Sequence, residues 1–168
     1  MTKTRKLTLY VARGAIIAAL YVVLTMLASA VGLSSGVIQF RISEALCIMA
    51  VFLPEAVPGL FIGCLISNLM VPGAVIWDII FGSVATLLGA VGARLMRKLP
   101  EKLRWLSTLP TILSNMLIVP LVLIYAYGAT DSYGFLLLTV GIGEIVCAGF
   151  GGTGLYYLLK KTKIPWLK

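Results

Sequence analysis

Six apolar blocks, separated by short stretches rich in polar residues, proline or glycine, set the pattern of this chain. The blocks cover about residues 9–31, 43–53, 55–71, 74–96, 109–127 and 135–159. The second block is too short to span a bilayer upright, because a spanning helix needs about 20 mostly apolar residues. With the third block it predicts a pair of short helices, which a membrane tolerates only where protein covers the backbone ends.

The composition places this pattern in a membrane. The chain has 168 residues, of which 60% are hydrophobic and 12% are charged. A soluble domain is about 45–50% apolar and about 25% charged, so these values indicate an integral membrane protein. We predict an all-α membrane protein in which residues 1–168 form one compact bundle of six transmembrane helices.

The net charge of +8 is concentrated in three basic clusters between the apolar blocks. The clusters are Lys3, Arg5, Lys6 and Arg13; Arg94, Arg97, Lys98, Lys102 and Arg104; and Lys160, Lys161, Lys163 and Lys168. Basic loops stay inside the cell, so we expect both termini and the central loop at residues 97–104 on the cytoplasmic side of the membrane. Such clusters suit anionic lipid, and a nucleic-acid partner is not expected.

One cation lies outside these clusters, in the stretch 39–46 at the mouth of the second block. Arg41 and Glu44 are three residues apart there, and Ser43 between them is a candidate N-cap of a helix. Ionisable groups within a membrane protein mark functional sites by default. The alternative is an Arg–Glu pair that only closes the helix end.

Further polar residues fall at or near the loops that this topology places outside. The candidate ligand-binding residues are Arg41, Glu44, Asn68, Trp77, Asp78, Asn115 and Glu144. Carboxylates in an apolar pocket accept hydrogen bonds from an amine or guanidine-like edge, and amides suit the edge of a heterocycle. The alternatives are an interhelical hydrogen bond for Asn115 and an interfacial position for the aromatic residues. Glu55, at the start of the third block, is expected to face water.

Two pairs of small residues lie on adjoining faces of the first block. Gly14 pairs with Ala18 and Ala15 pairs with Ala19, each at a spacing of four residues. Small residues allow helices to approach closely in lipid. The pairs predict either internal packing within the bundle or a docking face for another membrane protein, and the sequence does not decide between them.

The motifs of several enzyme classes are missing from the sequence. The chain contains no His, no Walker A motif and no HExxH. Cys47, Cys64 and Cys147 all lie in apolar blocks without CxxC spacing, which is typical of small buried residues. We therefore expect no metal site and no catalytic residues.

Three blocks in series resemble the QueT family over about residues 12–159. They are FRISEAL, PEAVPGLFIGCLISNL and WDIIFGSVATLLGA. The resemblance implies a six-helix substrate-binding S component of an energy-coupling-factor (ECF) transporter, which takes up a queuosine precursor. It implies a transmembrane coupling protein, docked on small residues such as Ala15 and Ala19, and two ABC ATPases that hydrolyse ATP, with no cofactor in the chain itself. Cobalamin or another vitamin is the alternative ligand.

Two other functions compete with this interpretation. A stand-alone proton-coupled carrier would use Asp78 or Glu144 as its proton site, and a small membrane enzyme would use them as a carboxylate pair. A carrier needs polar groups on both sides of the membrane midplane. The polar groups here fall mainly in the outer half, which favours the binding subunit.

Overall fold

The described part of the chain is built from helices joined by short turns. The computed structural model describes residues 3–33, 39–71 and 73–162. The helices are, in order, α1 (Lys3–Ala30), the short helix (Ile42–Val51, of 3-10 type), α2 (Ala56–Met70), α3 (Ile76–Leu95), α4 (Leu109–Tyr125), α5 (Tyr133–Glu144) and α6 (Gly152–Lys161). Within these described ranges there is no β-strand, so the all-helical prediction is confirmed.

Four of the helical stretches are long and apolar enough to cross a membrane. They are Lys3–Ala30, Ile76–Lys98, Glu101–Tyr125 and Tyr133–Lys161, whereas Ile42–Val51 and Ala56–Met70 are shorter. The predicted pair of short helices is therefore present. The number of helices that cross the bilayer, and the cytoplasmic position of both termini, stay predictions.

The short helix lies in the centre of the bundle. Eight of its ten residues are buried, and Ile48 and Ala50 belong to the same apolar core as Tyr21 of α1 and Leu60 of α2. This burial shields the backbone of a helix that is too short to span lipid by itself. The predicted N-cap is wrong, because the helix begins at Ile42 and the Ser43 hydroxyl lies 2.8 Å from the Thr25 hydroxyl instead of capping the helix.

Small residues set the distance between α1 and α2. A β-carbon added at Gly59 would lie 2.6 Å from the Gly14 carbonyl oxygen, and one added at Gly63 would lie 2.9 Å from the Ala18 carbonyl oxygen. Both values are shorter than real β-carbon contacts, so only glycine permits this approach. The Gly14/Ala18 face of α1 is therefore an internal packing surface.

Glycine also ends α1. Gly32 has a positive φ of 76°, its N–H donates to the Ser29 carbonyl, and the next N–H, of Leu33, donates to the Ala28 carbonyl. This is the Schellman arrangement, which satisfies the last carbonyls of a helix. At its other end, α1 begins at Lys3, six residues before the predicted start, because the polar first turns continue the helix beyond the apolar block.

The described basic clusters meet at one end of the bundle, which we name the basic end. There Arg13 pairs with Glu55 at 3.2 Å, Lys160 pairs with Glu101, and Arg94 donates to the Val51 carbonyl at 3.1 Å. The expectation that Glu55 faces water is wrong. Its side chain is buried, because the partner on α1 compensates the charge within the bundle.

Two connections differ from simple loops and helices. The predicted basic loop at residues 97–104 falls on two short 3-10 helices. They are Met96–Lys98 and Glu101–Thr108, and Pro100 lies between them. The last apolar block is one continuous helical stretch, but a π-helix, Ile145–Gly151, joins α5 to α6. Such π-turns are frequent at functional sites, and this one directly follows Glu144.

Candidate functional site

A cavity of about 440 Å³ opens at the end of the bundle opposite the basic end. It lies among α1, the segment before the short helix, the end of α2, the start of α3 and the end of α4. Its polar and aromatic lining includes Gln39, Phe40, Arg41, Asn68, Asp78 and Tyr127. Three of the seven predicted ligand-binding residues therefore line one cavity, although they come from three different segments.

These three residues, Arg41, Asn68 and Asp78, converge over a glycine of α3. A β-carbon added at Gly82 would lie 3.0 Å from Asn68 Nδ2, 3.4 Å from Asp78 Oδ1 and 3.7 Å from Arg41 Nη2. The missing side chain leaves space for the three polar groups to meet. A cation, an amide and a carboxylate so placed can recognise a ligand that presents both donors and acceptors.

Tyr127 holds the carboxylate of Asp78 at the cavity. Its hydroxyl donates to Asp78 Oδ2 at 3.0 Å and accepts from the Val75 N–H at 3.4 Å. Burial, and then the charge of Asp78, raise the pKa of the Tyr127 phenol, so it remains a neutral donor. The sequence analysis missed Tyr127, because nothing in the chain order places the turn after α4 beside the start of α3.

Glu44 does not belong to the cavity lining. Its carboxylate accepts hydrogen bonds from Tyr21 at 2.5 Å, from Thr86 at 2.7 Å and from Cys47 at 3.2 Å, and the residue is 1% exposed. It does not pair with Arg41, because no ion pair of Arg41 within 4.0 Å occurs in the described ranges. The helix-end Arg–Glu pair considered in the sequence analysis is therefore not formed.

Cys64 connects the cavity to the Glu44 carboxylate. Its sulfur lies 3.3 Å from the Thr86 hydroxyl, 3.6 Å from Asn68 Nδ2 and 4.0 Å from Arg41 Nη2. The fully buried thiol thus lies between the Thr86 hydroxyl and the polar groups of Asn68 and Arg41, for which its sulfur is a weak acceptor. A cysteine in an apolar block gave no sequence signal for this position.

Glu144 and Asn115 are buried away from the cavity lining. Asn115 donates to the Thr111 carbonyl of its own helix at 3.1 Å, so the interhelical hydrogen bond considered as its alternative role is not seen among the described residues. Within the described residues, Asn115 Oδ1 and Glu144 Oε2 have no hydrogen-bond partner. Glu144 lies within electrostatic range of Glu44 and Arg41.

Trp77 is the one predicted ligand-binding residue that lies on the outside of the bundle. It is 55% exposed, and its ring stacks on Phe81 with 6.1 Å between the ring centres. Trp77 is the second residue of α3. Its neighbour Asp78 points into the cavity, so the Trp77 indole points to the outside of the bundle. This placement agrees with the interfacial alternative for the aromatic residues.

The predicted docking residues line an apolar groove of about 590 Å³ between α1 and α2. Gly14, Ala15, Ala18 and Ala19 all border this groove. Ala18 is buried against α2, whereas Ala15 and Ala19 are exposed. The two small-residue pairs therefore face different surroundings, one toward the bundle and one toward a partner or lipid.

In the described ranges, no group of three or more His, Cys, Asp and Glu residues is arranged to hold a metal ion. The lining of the cavity offers hydrogen-bonding and charged side chains. Both suit the binding of an organic ligand.

Comparison with known proteins assigns the family. The family model described as QueT transporter matches residues 11–161, which is most of the chain. This chain belongs to the QueT transporter family. The resemblance seen in the three sequence blocks is confirmed, and QueT membership implies a transporter rather than an enzyme. With four potential spanning helices, this QueT family member is a multi-pass membrane protein.

A curated relative supplies a more specific likeness. The queuosine precursor transporter QueT of Lactococcus lactis subsp. cremoris (strain MG1363) is 40% identical over 93 residues. The alignment covers 54% of this chain and 53% of the relative, so the chain matches about half the length of that protein. No solved structure matches significantly.

Proposed function

We propose that this chain captures a queuosine precursor, a deazaguanine, as the substrate-binding subunit of an ECF transporter. The observation that carries the proposal is the convergence of Arg41, Asn68 and Asp78 over Gly82 in one cavity. The QueT family match and the name of the L. lactis relative support the ligand class.

The chemistry of a deazaguanine complements these groups. Its amino-pyrimidinone edge presents N–H donors. Oδ1 of Asp78 can accept hydrogen bonds from them while Tyr127 holds Oδ2. Its carbonyl oxygen suits the guanidinium of Arg41, and Asn68 can donate or accept. Phe40 also lines the cavity and supplies an aromatic ring for contact with the planar base.

The size of the cavity favours a base over a corrinoid. A volume of about 440 Å³ suits a small heterocycle, since small-molecule sites range over about 300–1,000 Å³. Cobalamin, with its macrocycle, amide arms and nucleotide loop, is several times larger than a base and would need a wider mouth. The loop that could widen it is Gly32–Gly36, of which residues 34–36 lie outside the described residues.

The energy for uptake would come from partner proteins. The sequence has no Walker A motif, so ATP hydrolysis is assigned to two ABC ATPases joined through a transmembrane coupling protein. The exposed Ala15 and Ala19 on α1 are the proposed contact for that coupling protein. The membrane would be the prokaryotic plasma membrane, with the cavity open to the outside.

Titration calorimetry on the purified chain tests the ligand and the site together. Asp78→Ala removes a hydrogen-bonding partner of the ligand, which should cost roughly 1–3 kcal/mol, or about ten- to a hundredfold in affinity for a deazaguanine. Asp131→Ala is the matched control, because Asp131 is an exposed carboxylate outside the cavity lining. Tight binding of cobalamin, or unchanged deazaguanine affinity in Asp78→Ala, would overturn this assignment.

A second candidate function is a proton-coupled carrier that works without ATPases. Glu144 supports it, because a buried carboxylate with an unpartnered oxygen, described above, is a possible proton site. Proteoliposomes that contain only this chain would separate the two functions. A carrier would accumulate deazaguanine when a pH gradient is imposed and would lose this activity in Glu144→Gln, whereas the binding subunit would accumulate none.

A further inference from the structure

We propose that Tyr21 and Thr86 are positioning residues for ligand binding: they hold the Glu44 carboxylate away from Arg41 and so keep the Arg41 guanidinium at the cavity. The affinity part of this inference rests on the proposed function. The geometric part concerns the arrangement of the side chains in the free protein and can be tested without a ligand.

Arg41 and Glu44 lie one turn apart at the start of the short helix. Arg41 is the N-cap residue, with non-helical backbone angles, and the Glu44 N–H donates to its carbonyl at 2.9 Å, which closes the first 3-10 turn. Opposite charges at this separation attract each other. An Arg41–Glu44 ion pair is therefore within reach of this turn, and among the described residues the structure departs from it.

Two donors from other helices account for the departure. Tyr21 of α1 and Thr86 of α3 both donate to Oε1 of Glu44, at 2.5 Å and 2.7 Å. The donor residues are fully buried, so water does not compete with these bonds. Charge-assisted hydrogen bonds of this kind are strong enough to fix the carboxylate on the inner side of the short helix.

Within the described ranges, the Arg41 guanidinium therefore retains most of its donors. Arg41 Nη2 lies 4.0 Å from the Cys64 sulfur, a weak acceptor, and 3.7 Å from the position of a β-carbon on Gly82. A guanidinium has five N–H donors, and pairing with a carboxylate would consume two of them in a fork. By engaging Glu44, Tyr21 and Thr86 leave these donors for the carbonyl oxygen of a ligand.

The first experiment measures Arg41 directly, in the full chain without ligand. Phenylglyoxal modifies free guanidinium groups, and mass spectrometry reports the rate at Arg41 relative to the exposed Arg97 at the basic end. The double variant Tyr21→Phe/Thr86→Val should slow modification of Arg41 several-fold, because Glu44 then pairs with it. Adding Glu44→Gln to that variant should restore the rate, because the pairing charge is gone.

The second experiment measures deazaguanine affinity in the same variants. The double variant should lose about tenfold, the scale of one lost hydrogen bond, and the triple variant with Glu44→Gln should recover most of this loss. A merely structural role for Tyr21 and Thr86 predicts no recovery. Tyr156→Phe is the matched control, a buried tyrosine that stacks on Phe52 far from the cavity and should leave both readouts unchanged.

The outcomes distinguish this inference from the proposed function. An unchanged Arg41 modification rate in the double variant, or a slowed rate that Glu44→Gln does not restore, overturns the positioning role. If the wild-type chain binds no deazaguanine, the proposed ligand is wrong, while the modification rates still decide the positioning role. If the double variant fails to fold, Thr86→Val alone removes one bond at nearly constant volume, and Thr86→Ser, which keeps the hydroxyl, is its control.

Discussion

At the residue scale, residues that are close in the sequence have different structural roles. Trp77 and Asp78 are adjacent, yet the indole is exposed on the outside of the bundle and the carboxylate bonds to Tyr127 at the cavity. Arg41 and Glu44 are one helical turn apart, yet one lines the cavity and the other bonds to buried donors. The direction of each side chain, rather than its place in the chain, determines whether it can meet a ligand.

A substitution at Gly82 tests whether the ligand binds where the three polar side chains meet. Gly82→Ala should weaken deazaguanine binding about tenfold or more, because its β-carbon would lie 3.0 Å from Asn68 Nδ2 and displace the amide. Gly134→Ala, where an added β-carbon meets nothing within 4 Å, is the control and should bind normally. Calorimetry measures both variants. Full affinity in Gly82→Ala would show that the ligand does not use the space above this glycine.

At the element scale, α1 serves two surfaces. Its Gly14/Ala18 face approaches α2 so closely that Gly59 and Gly63 cannot carry side chains. Its Ala15/Ala19 face borders the same groove but is exposed. The two roles that the sequence left open, internal packing and partner docking, therefore apply to different faces of one helix, with docking still a prediction.

Substitutions on α1 should separate these two faces. Ala15→Trp places bulk on the exposed face and should block assembly with the coupling protein, while ligand binding by the isolated chain survives. Ala18→Trp should instead prevent folding, because Ala18 is buried against α2. Ala12→Trp, exposed on α1 but outside the groove, is the control. Co-purification with the coupling protein measures assembly, and normal assembly of Ala15→Trp would assign its face to lipid alone.

At the scale of the whole molecule, charge and cavity occupy opposite ends. The basic end gathers Arg13, Arg94 and Lys160, each with a partner from another segment. The cavity opens at the far end, where α1 and α2 finish and α3 begins. If the basic end faces the cytoplasm, the cavity faces the outside, which is the orientation that capture for uptake requires.

Cysteine labelling in cells tests this orientation. Cys47, Cys64 and Cys147 are all buried and would first be replaced. A single cysteine introduced at Lys98 or Lys161 should react only after the membrane is permeabilised, since both positions lie at the basic end. A cysteine introduced at Asp131, in the turn between α4 and α5, should react in intact cells and is the positive control. External labelling at Lys98 would contradict the predicted topology.

The sequence by itself determined the fold class of the protein and the division of its chain into helical segments. Apolar content, block length and basic clusters are properties of the linear chain, and they predicted an all-helical membrane protein with two short helices. Family membership was also predictable, because it rests on blocks of contiguous residues such as the one containing Arg41 and Glu44. Arg41, Asn68 and Asp78 were predictable as a group, because residues near the same loops share one depth in the bundle.

Only the tertiary structure decided which side chains meet. The rotation of each helix turned Trp77 outward and brought Tyr127 to Asp78, and neither follows from chain order. Glu44 and Glu55 acquired partners more than twenty residues away in sequence, Tyr21 and Arg13, which made buried carboxylates tolerable. The physical reason is that hydropathy places a residue along the membrane normal, whereas packing between helices sets its direction around the helix axis.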